Sequence, residues 1–171
     1  MSEALPFGAL DACHRRILDH LDRLEALLGH LERDGVDDHA RTEAGRIEAF
    51  FSEISQAHHR DEERHVFPAL LASGDDSLVA TVRLLQQDHG WIEEDWIALA
   101  PQLRAIASAC SWHDPAELRH TIEVFVELCR EHVVLEESMV YPRARAIADE
   151  HQRRRAAVAA AHLTREVPSS S

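Results

Sequence analysis

The sequence has few aromatic residues, glycines, prolines and cysteines. Aromatic residues make up 5% of its 171 residues, and glycine and proline occur six times each. The cysteines, Cys13, Cys110 and Cys129, are odd in number and lack the paired spacing of a zinc finger, so we expect no disulfide framework. No run of about eighteen apolar residues occurs, which argues against a membrane-spanning helix.

Basic residues are also scarce. Lysine and arginine number 18 against 31 aspartates and glutamates, which gives a formal net charge of -13. Binding to phosphates requires an excess of basic residues, so the balance argues against nucleic acid as a partner and against docking on anionic lipid. The N-terminal segment has neither the basic region nor the apolar stretch of a signal peptide. We therefore expect a cytoplasmic protein.

What the sequence does contain is a helical pattern. Leucine, alanine, glutamate and arginine dominate, and apolar residues recur with helical periodicity in four stretches. Pro101 is expected to kink or end the third stretch. A fifth helical stretch, from about Glu150 to His162, either extends the fourth past Pro142 or packs separately. The four predicted helices run from about Ala9 to Arg33, from Asp38 to Leu71, from Ser77 to the region of Pro101, and from Asp114 to about Ala148.

The predicted helix ends support this division. Asp76 is a candidate N-cap for the third helix, and Asp114 is followed by Pro115 and Glu117, as at a capped helix start. Four amphipathic helices with short connections predict an all-α fold, an up-down antiparallel four-helix bundle with an additional short C-terminal helical segment. We expect one domain over residues 1–164 and a flexible tail over residues 165–171.

Two of the thirteen histidines begin matching motifs. His58 precedes Glu62 by four residues, and His132 precedes Glu136 by four. Both glutamates are followed by a second glutamate and, further on, by an aromatic residue and a proline. Residues four apart on a helix share one face, so each motif presents an imidazole beside a carboxylate.

Two further histidines extend the match to the whole chain. His14 in the first helix and His89 in the third are separated by nearly the same number of residues as the two motifs. The chain therefore reads as two helical hairpins, which would bring four histidines and two glutamates to one level of the core. Burying Glu62 and Glu136 without partners would be costly, and a pair of cations would compensate them. Mixed imidazole and carboxylate ligands suit iron, with manganese or zinc as weaker options.

Several alternatives stay open at this point. His59 has its own possible partner in Glu63, although the matched distance to the following proline favours His58 and Glu62 as the motif. His65 and Glu93 either join the site or lie on the surface. Cys13 either senses the redox state of the centre or packs in the core. Tyr141 either donates a hydrogen bond near the metal or packs at the end of the bundle.

These segments together resemble a known family. The two motifs, with the flanking residues Cys13 to Ile17 and Asp88 to Trp91, are similar to the hemerythrin-like HHE cation-binding domains of bacteria. The similarity extends roughly from Leu10 to Ala148. It implies a non-haem di-iron centre with an oxo or hydroxo bridge, and an open position for dioxygen, nitric oxide or peroxide. The ligands it implies are His14, His58, Glu62, His89, His132 and Glu136.

The pattern departs from that of the oxygen-carrying hemerythrins. Those proteins have a His-x-x-x-His pair on helix three and a His-x-x-x-x-Asp pair on helix four, whereas here His89 is followed by Glu93 and His132 by Glu136. Fewer histidines and more carboxylates are expected to make the iron more readily oxidised, which argues against a stable reversible oxygen carrier. The pattern is closer to that of di-iron proteins linked to iron-sulfur cluster repair and nitric oxide stress.

Three functional hypotheses follow. The first is a non-haem di-iron protein that binds or senses dioxygen or nitric oxide. The second is a di-iron redox enzyme that reduces peroxide or nitric oxide, or an iron donor for cluster repair. The third is iron storage or adventitious zinc binding. The first is favoured, and the sequence does not identify a redox partner.

Overall fold

Helices account for nearly all of the chain that the structure describes. The computed structural model describes residues 7–110 and 114–165, and over those residues it confirms the predicted all-α fold. A π-helical segment, Glu136–Val140, lies between the last two α-helices. None of the described helices is long and apolar enough to cross a membrane. The α-helices are α1 (Phe7–Asp34), α2 (Asp38–His65), α3 (Phe67–Leu71), α4 (Asp76–Ala107), α5 (Pro115–Leu135) and α6 (Tyr141–Arg165).

The four long helices α1, α2, α4 and α5 form the bundle. Each of α1 and α4 packs against both α2 and α5. Short connections reverse the chain between consecutive helices, and the first of them uses Gly35, whose φ of 75° lies in the left-handed region. The predicted up-down antiparallel four-helix bundle is confirmed.

Aspartate side chains cap three of these helices. Asp37, Asp75 and Asp114 precede α2, α4 and α5. The Asp37 side chain accepts one hydrogen bond from a backbone N–H group of the first helical turn, and the side chains of Asp75 and Asp114 accept two each. These bonds satisfy donors that the helix leaves unpaired at its N-terminus. Asp114 was predicted correctly. The predicted cap Asp76 was wrong by one residue, because Asp75 has the extended backbone that a cap requires and Asp76 is already helical.

Two prolines lie inside the predicted helical stretches. The second predicted helix was continuous to Leu71, but the structure interrupts it at Val66, just before the pair Phe67-Pro68. Pro68 has no N–H to donate to the carbonyl group four residues earlier, and its ring would clash with that carbonyl, so an uninterrupted α-helix is disfavoured there. The third helix does not end at Pro101 but continues to Ala107. Pro101 is exposed, so the backbone hydrogen bond that it cannot make lies on the solvent side of the bundle.

The fourth predicted helix continues past Pro142. The π-helical segment joins α5 to α6, and the N–H of Tyr141 donates to the carbonyl of Glu136, five residues earlier. The predicted C-terminal segment is therefore an extension of the fourth helix. Residues 149–161 of α6 are exposed throughout, so this part of the helix extends beyond the bundle core. The proposed boundary between a domain over 1–164 and a tail over 165–171 stays a prediction, because residues 166–171 lie outside the described part.

The core consists of two apolar clusters with a polar layer between them. On α1, Leu10 belongs to one cluster and Ile17 to the other, and the buried His14 lies between them. On α4, His89 is flanked in the same way. The polar layer is therefore enclosed by apolar side chains on both sides along the bundle axis.

Candidate metal centre

The six predicted ligands lie together in this polar layer. All six are buried, with exposures between 0% and 4%. Each long helix of the bundle supplies at least one of them, so the antiparallel packing of the two hairpins positions the group. The helices supply them as follows: His14 from α1, His58 and Glu62 from α2, His89 from α4, His132 from α5 and Glu136 from the π-helical segment.

Their donor atoms form two overlapping groups. In each group, one nitrogen or oxygen atom per residue lies within 4.8 Å of those of the other members. Both glutamates belong to both groups. The histidines divide between them: His14 and His58 form position A, and His89 and His132 form position B. Each position thus combines two imidazoles with two shared carboxylates.

Glu62 faces both positions with different oxygens. Its Oε1 atom lies 3.3 Å from Nε2 of His58, and its Oε2 atom lies 3.4 Å from Nε2 of His89. The hydroxyl of Tyr141 donates a hydrogen bond to Oε1. Burial favours the neutral acid, but the surrounding histidines and Tyr141 outweigh it and hold the pKa of Glu62 well below its ordinary value. Glu62 is therefore a carboxylate with one oxygen in each position.

Glu136 repeats this arrangement from the other half of the chain. Its Oε2 atom lies 3.2 Å from Nε2 of His14 in position A, and its Oε1 atom lies 3.2 Å from Nε2 of His132 in position B. Oε1 is also 4.0 Å from Nε2 of His89. The two glutamates thus both reach across the polar layer, as bridging carboxylates between two cations would.

Buried polar atoms without hydrogen-bond partners are concentrated at this site. Among the described residues, all such side-chain atoms belong to the polar layer except Oε1 of Gln102. They include Nε2 of His58, His89 and His132 and both carboxylate oxygens of Glu136. Leaving a buried donor or acceptor unpaired costs about 1–3 kcal/mol. Lone pairs that converge in this way fit a metal ion, and nitrogen with carboxylate oxygen is a donor set that iron accepts.

The histidines differ in the proton affinity that their surroundings impose. Burial opposes the charged form, but the neighbouring carboxylates outweigh it and raise the pKa of His14 to about 10 and that of His132 to about 9. Burial lowers the pKa of His58, and it lowers the pKa of His59 to about 2. Protons on His14 and His132 therefore offset the buried carboxylates when no cation is bound.

Two exposed carboxylates hold the outer nitrogens of one histidine in each position. Nδ1 of His14 is 3.1 Å from Oε1 of Glu137, and Nδ1 of His89 is 2.8 Å from Oε1 of Glu63. Each acid directly follows a glutamate of the site and reaches the histidine of the opposite half. A carboxylate on Nδ1 orients the ring so that Nε2 points into the site.

These outer contacts were not predicted from the sequence. The doubled glutamates of both motifs carry this signal, but helical spacing offers Glu63 only a partner on its own helix, His59. A third acid, Asp88, places Oδ2 3.6 Å from Nδ1 of His132, which is longer than a hydrogen bond. The outer acids thus contact histidines on other helices, and residue spacing along one helix does not reveal such contacts.

Tyr141 enters the site directly after the π-helical segment. Its hydroxyl lies 3.2 Å from Nε2 of His14, and its ring stacks on that imidazole with centroids 5.1 Å apart. Phe67 stacks on His89 in the same way, with centroids 5.6 Å apart. Burial raises the pKa of Tyr141, which keeps it a neutral phenol. Phe67 and Tyr141 occupy matched places in the two motifs, so the ring next to position A carries a hydroxyl group that the ring next to position B lacks.

The remaining candidates fall into two groups. His59 is buried in the polar layer next to His89, so the sequence alternatives His58 and His59 both lie at the site. His65 and Glu93 are half-buried and belong to neither position. Cys13 packs against the apolar cluster, and burial raises its pKa to about 11, so its thiol stays protonated at neutral pH.

Comparison with known proteins places the chain in a family. The model of the hemerythrin HHE cation-binding domain matches residues 5–144. The chain belongs to the hemerythrin HHE family. An uncharacterised protein of Haemophilus influenzae is 28% identical over 134 residues, which cover 78% of this chain and 76% of that protein. No solved structure gave a significant match. The matched HHE region contains all six predicted ligands, and with the buried histidine and glutamate cluster it indicates a metal-binding domain.

Proposed function

We propose that this HHE domain holds two iron ions, one at position A and one at position B, and binds dioxygen or nitric oxide there. The observation that carries the proposal is the overlap of the two donor groups, which share both glutamates. Under this proposal both ions would be held by Glu62 and Glu136, and His14, His58, His89 and His132 would complete their ligands. An iron pair supplies an open coordination position and accessible electrons to a small diatomic ligand.

The donor set favours iron over the alternatives. The donor groups of the described residues contain imidazoles and carboxylates but no thiolate. Structural zinc sites are commonly closed and four-coordinate, whereas a pair of positions bridged by two carboxylates suits iron. The apolar clusters on either side exclude water from the polar layer, which strengthens the electrostatic interactions inside it.

The residues around the donors have separate roles. Glu63 and Glu137 orient His89 and His14 through their outer nitrogens. The hydroxyl of Tyr141 donates to Glu62 and is the only phenol in the sequence. It therefore places a proton beside position A.

That phenol also favours a second candidate function. A di-iron redox enzyme that reduces peroxide or nitric oxide needs a proton source next to the bound ligand. Tyr141 satisfies this requirement in geometry, because its hydroxyl contacts both Glu62 and His14. An iron donor in cluster repair would instead release its metal, and no contact among the described residues favours that role in particular.

One experiment separates these functions. The protein is loaded with iron without oxygen, reduced with dithionite, and then exposed to dioxygen or nitric oxide while absorption and electron paramagnetic resonance spectra are recorded. A distinct adduct that persists and reverses on removal of the gas supports binding or sensing. Immediate oxidation of the iron without an adduct supports the redox enzyme. Spectra that do not respond to either gas contradict both functions.

A further inference from the structure

An open groove of about 330 Å³ lies on the outer surface of the bundle, between α4 and α5. Its apolar lining consists of Trp91 from α4 and of Val124 and Leu128 from α5. Trp91 is 46% exposed and Val124 is 39% exposed, so both side chains are open to solvent. Large apolar side chains that are exposed together and rimmed by polar residues are typical of an interaction surface.

All of the charged residues that line this groove are acids. They are Glu94 and Asp95 on α4 and Glu127 and Glu131 on α5, and together with the apolar lining they define the acidic groove. None of the four forms an ion pair within the described part of the chain. Burial and the neighbouring Glu94 raise the pKa of Asp95, which shows that like charges are crowded there. A cationic partner would relieve this repulsion.

The exposed part of α6 carries the opposite charge. Residues 153–161, which we term the arginine segment, begin with the only run of three basic residues in the sequence and continue with alanines and one valine. Every residue of the segment is exposed, and Val158 is 59% exposed. Arg154 pairs with Glu150 one turn earlier, whereas Arg155 forms no ion pair with the described residues. The segment therefore complements the acidic groove in charge and in apolar surface.

The arginine segment of one chain does not reach the acidic groove of the same chain. The helices α5 and α6 are joined by the π-helical segment into one helical path. At about 1.5 Å per residue, Arg153 lies roughly 30 Å beyond Glu131 along that path. A second copy of the chain can present its segment to the groove without a change in either fold, and a two-fold axis lets each copy fill the groove of the other.

We propose that the arginine segment of one copy docks in the acidic groove of a second copy, and that two such contacts form a symmetric homodimer. The arginines then face the four acids, and Val158 covers part of the exposed surface of Trp91 and Val124. A single exposed ion pair contributes little, so the contact depends on several charges acting together and weakens as salt is added. Each bundle encloses its own six predicted metal ligands, so metal binding is the same in monomer and dimer.

The test is sedimentation equilibrium of the full chain, which gives the dissociation constant of the dimer at low and high salt. One variant reverses the segment, with Arg153→Glu, Arg154→Glu and Arg155→Glu. A second variant reverses the groove, with Glu127→Arg and Glu131→Arg. Each variant alone should raise the dissociation constant by about tenfold or more, because like charges then meet in both contacts. An equal mixture of the two should dimerise again, because opposite charges meet in both contacts.

A matched control reverses two exposed acids elsewhere on the surface, Asp19→Arg on α1 and Glu53→Arg on α2, and should dimerise like the wild type. Circular dichroism checks that all variants keep their helix content. A wild type that is monomeric at every concentration would overturn the inference and leave the groove to another cationic partner. A dimer that persists in both variants, or variants that do not dimerise when mixed, would overturn it as well. Iron content per chain tests the metal centre separately.

Discussion

At the scale of single residues, the two buried glutamates are the least exposed acids in the part of the chain that the structure describes. Glu62 and Glu136 are 0% exposed, and each places one oxygen in each metal position. A buried charge without compensation is strongly unfavourable, so these carboxylates depend on cations or on protonated histidines. Loss of either one removes a ligand from both positions at once.

Replacement of a shared glutamate should therefore reduce metal content more than replacement of a surface acid. Glu62→Ala and Glu136→Ala are each expected to lower bound iron from two ions per chain to at most one. The exposed Glu94 is the matched control, and Glu94→Ala should keep the wild-type content. Iron per chain is measured by mass spectrometry after anaerobic loading and desalting, with circular dichroism to confirm helix content. Equal iron in all three variants would contradict the ligand assignment.

The outer acids act through the histidines that they contact. Glu137→Gln removes the negative charge next to Nδ1 of His14 but keeps the size of the side chain. We expect about a 10–100-fold loss of metal affinity, because such outer carboxylates orient the ring and increase its basicity. Glu131, another exposed acid, provides the control Glu131→Gln. Competition with a chromophoric chelator measures both affinities, and the same affinity in the two variants would show that Glu137 has no positioning role.

At the scale of helices, the sequence predicted which helices form and in what order better than it predicted where they are interrupted. The apolar periodicity and the capping residues around Asp114 are local signals, and both correspond to the structure. The outcomes at Pro68, Pro101 and Pro142 were not predictable in the same way. A proline inside a helical pattern can break, kink or be accommodated, and tertiary packing on each side decides between these results.

The interruptions serve the site in both halves. Residues five apart on a regular α-helix point about 140° away from each other. Yet Glu62 and Phe67 are both buried, and so are Glu136 and Tyr141. The break at Val66 and the π-helical segment each change the direction in which the following side chains point. As a result, the aromatic side chain is buried on the same side as the preceding carboxylate. Single π-helical turns of this kind are frequent at functional sites.

A helix cap far from the site should affect stability without affecting metal binding. Asp114 caps α5 at the end opposite to His132, and its side chain accepts hydrogen bonds from the N–H groups of Ala116 and Glu117. Asp114→Ala should lower the free energy of unfolding by about 1 kcal/mol, measured by urea denaturation, with iron content unchanged. Glu127→Ala, on the exposed face of the same helix, should change it by less than about 0.5 kcal/mol. A cap variant as stable as the Glu127 variant would contradict the prediction.

At the scale of the whole molecule, the polar layer lies between two apolar clusters and carries several buried titratable groups. The sequence predicted that the six ligands would meet, because matched spacing in two antiparallel hairpins brings them to one level. It did not predict that acids from each half hold histidines of the other half, as Glu63 holds His89. Such contacts depend on the rotation of neighbouring helices about their axes, and residue spacing along one helix does not specify that rotation.

The buried histidines predict how the stability of the metal-free protein depends on pH. The pKa of His14 rises from 6.5 to about 10 and that of His132 from 6.5 to about 9, so their contribution is complete below pH 6.5 and is lost as the pH rises through 9 and 10. The pKa of His59 falls to about 2, so stability also declines below pH 6.5, where the unfolded chain takes up protons that the folded one does not. Stability should therefore be greatest near neutral pH.

Urea denaturation at pH 6.5, 8 and 9.5 in the presence of a chelator checks this expectation. The unfolding midpoint of the metal-free protein should fall steadily over this range. The Zn²⁺-loaded protein serves as the control, because bound ions replace the protons on His14 and His132, and its midpoint should fall less. The same decline in both forms would show that these two histidines do not determine the alkaline stability.

The proposed buried centre holds two iron ions that share Glu62 and Glu136. Its most direct test is Mössbauer and electron paramagnetic resonance spectroscopy of the protein loaded with ⁵⁷Fe and then oxidised, together with iron quantification. A shared centre should give two irons per chain that are magnetically coupled, with near-ultraviolet absorption bands that bleach on reduction with dithionite. At most one iron per chain, or the resonance of isolated ferric ions, would contradict a shared centre.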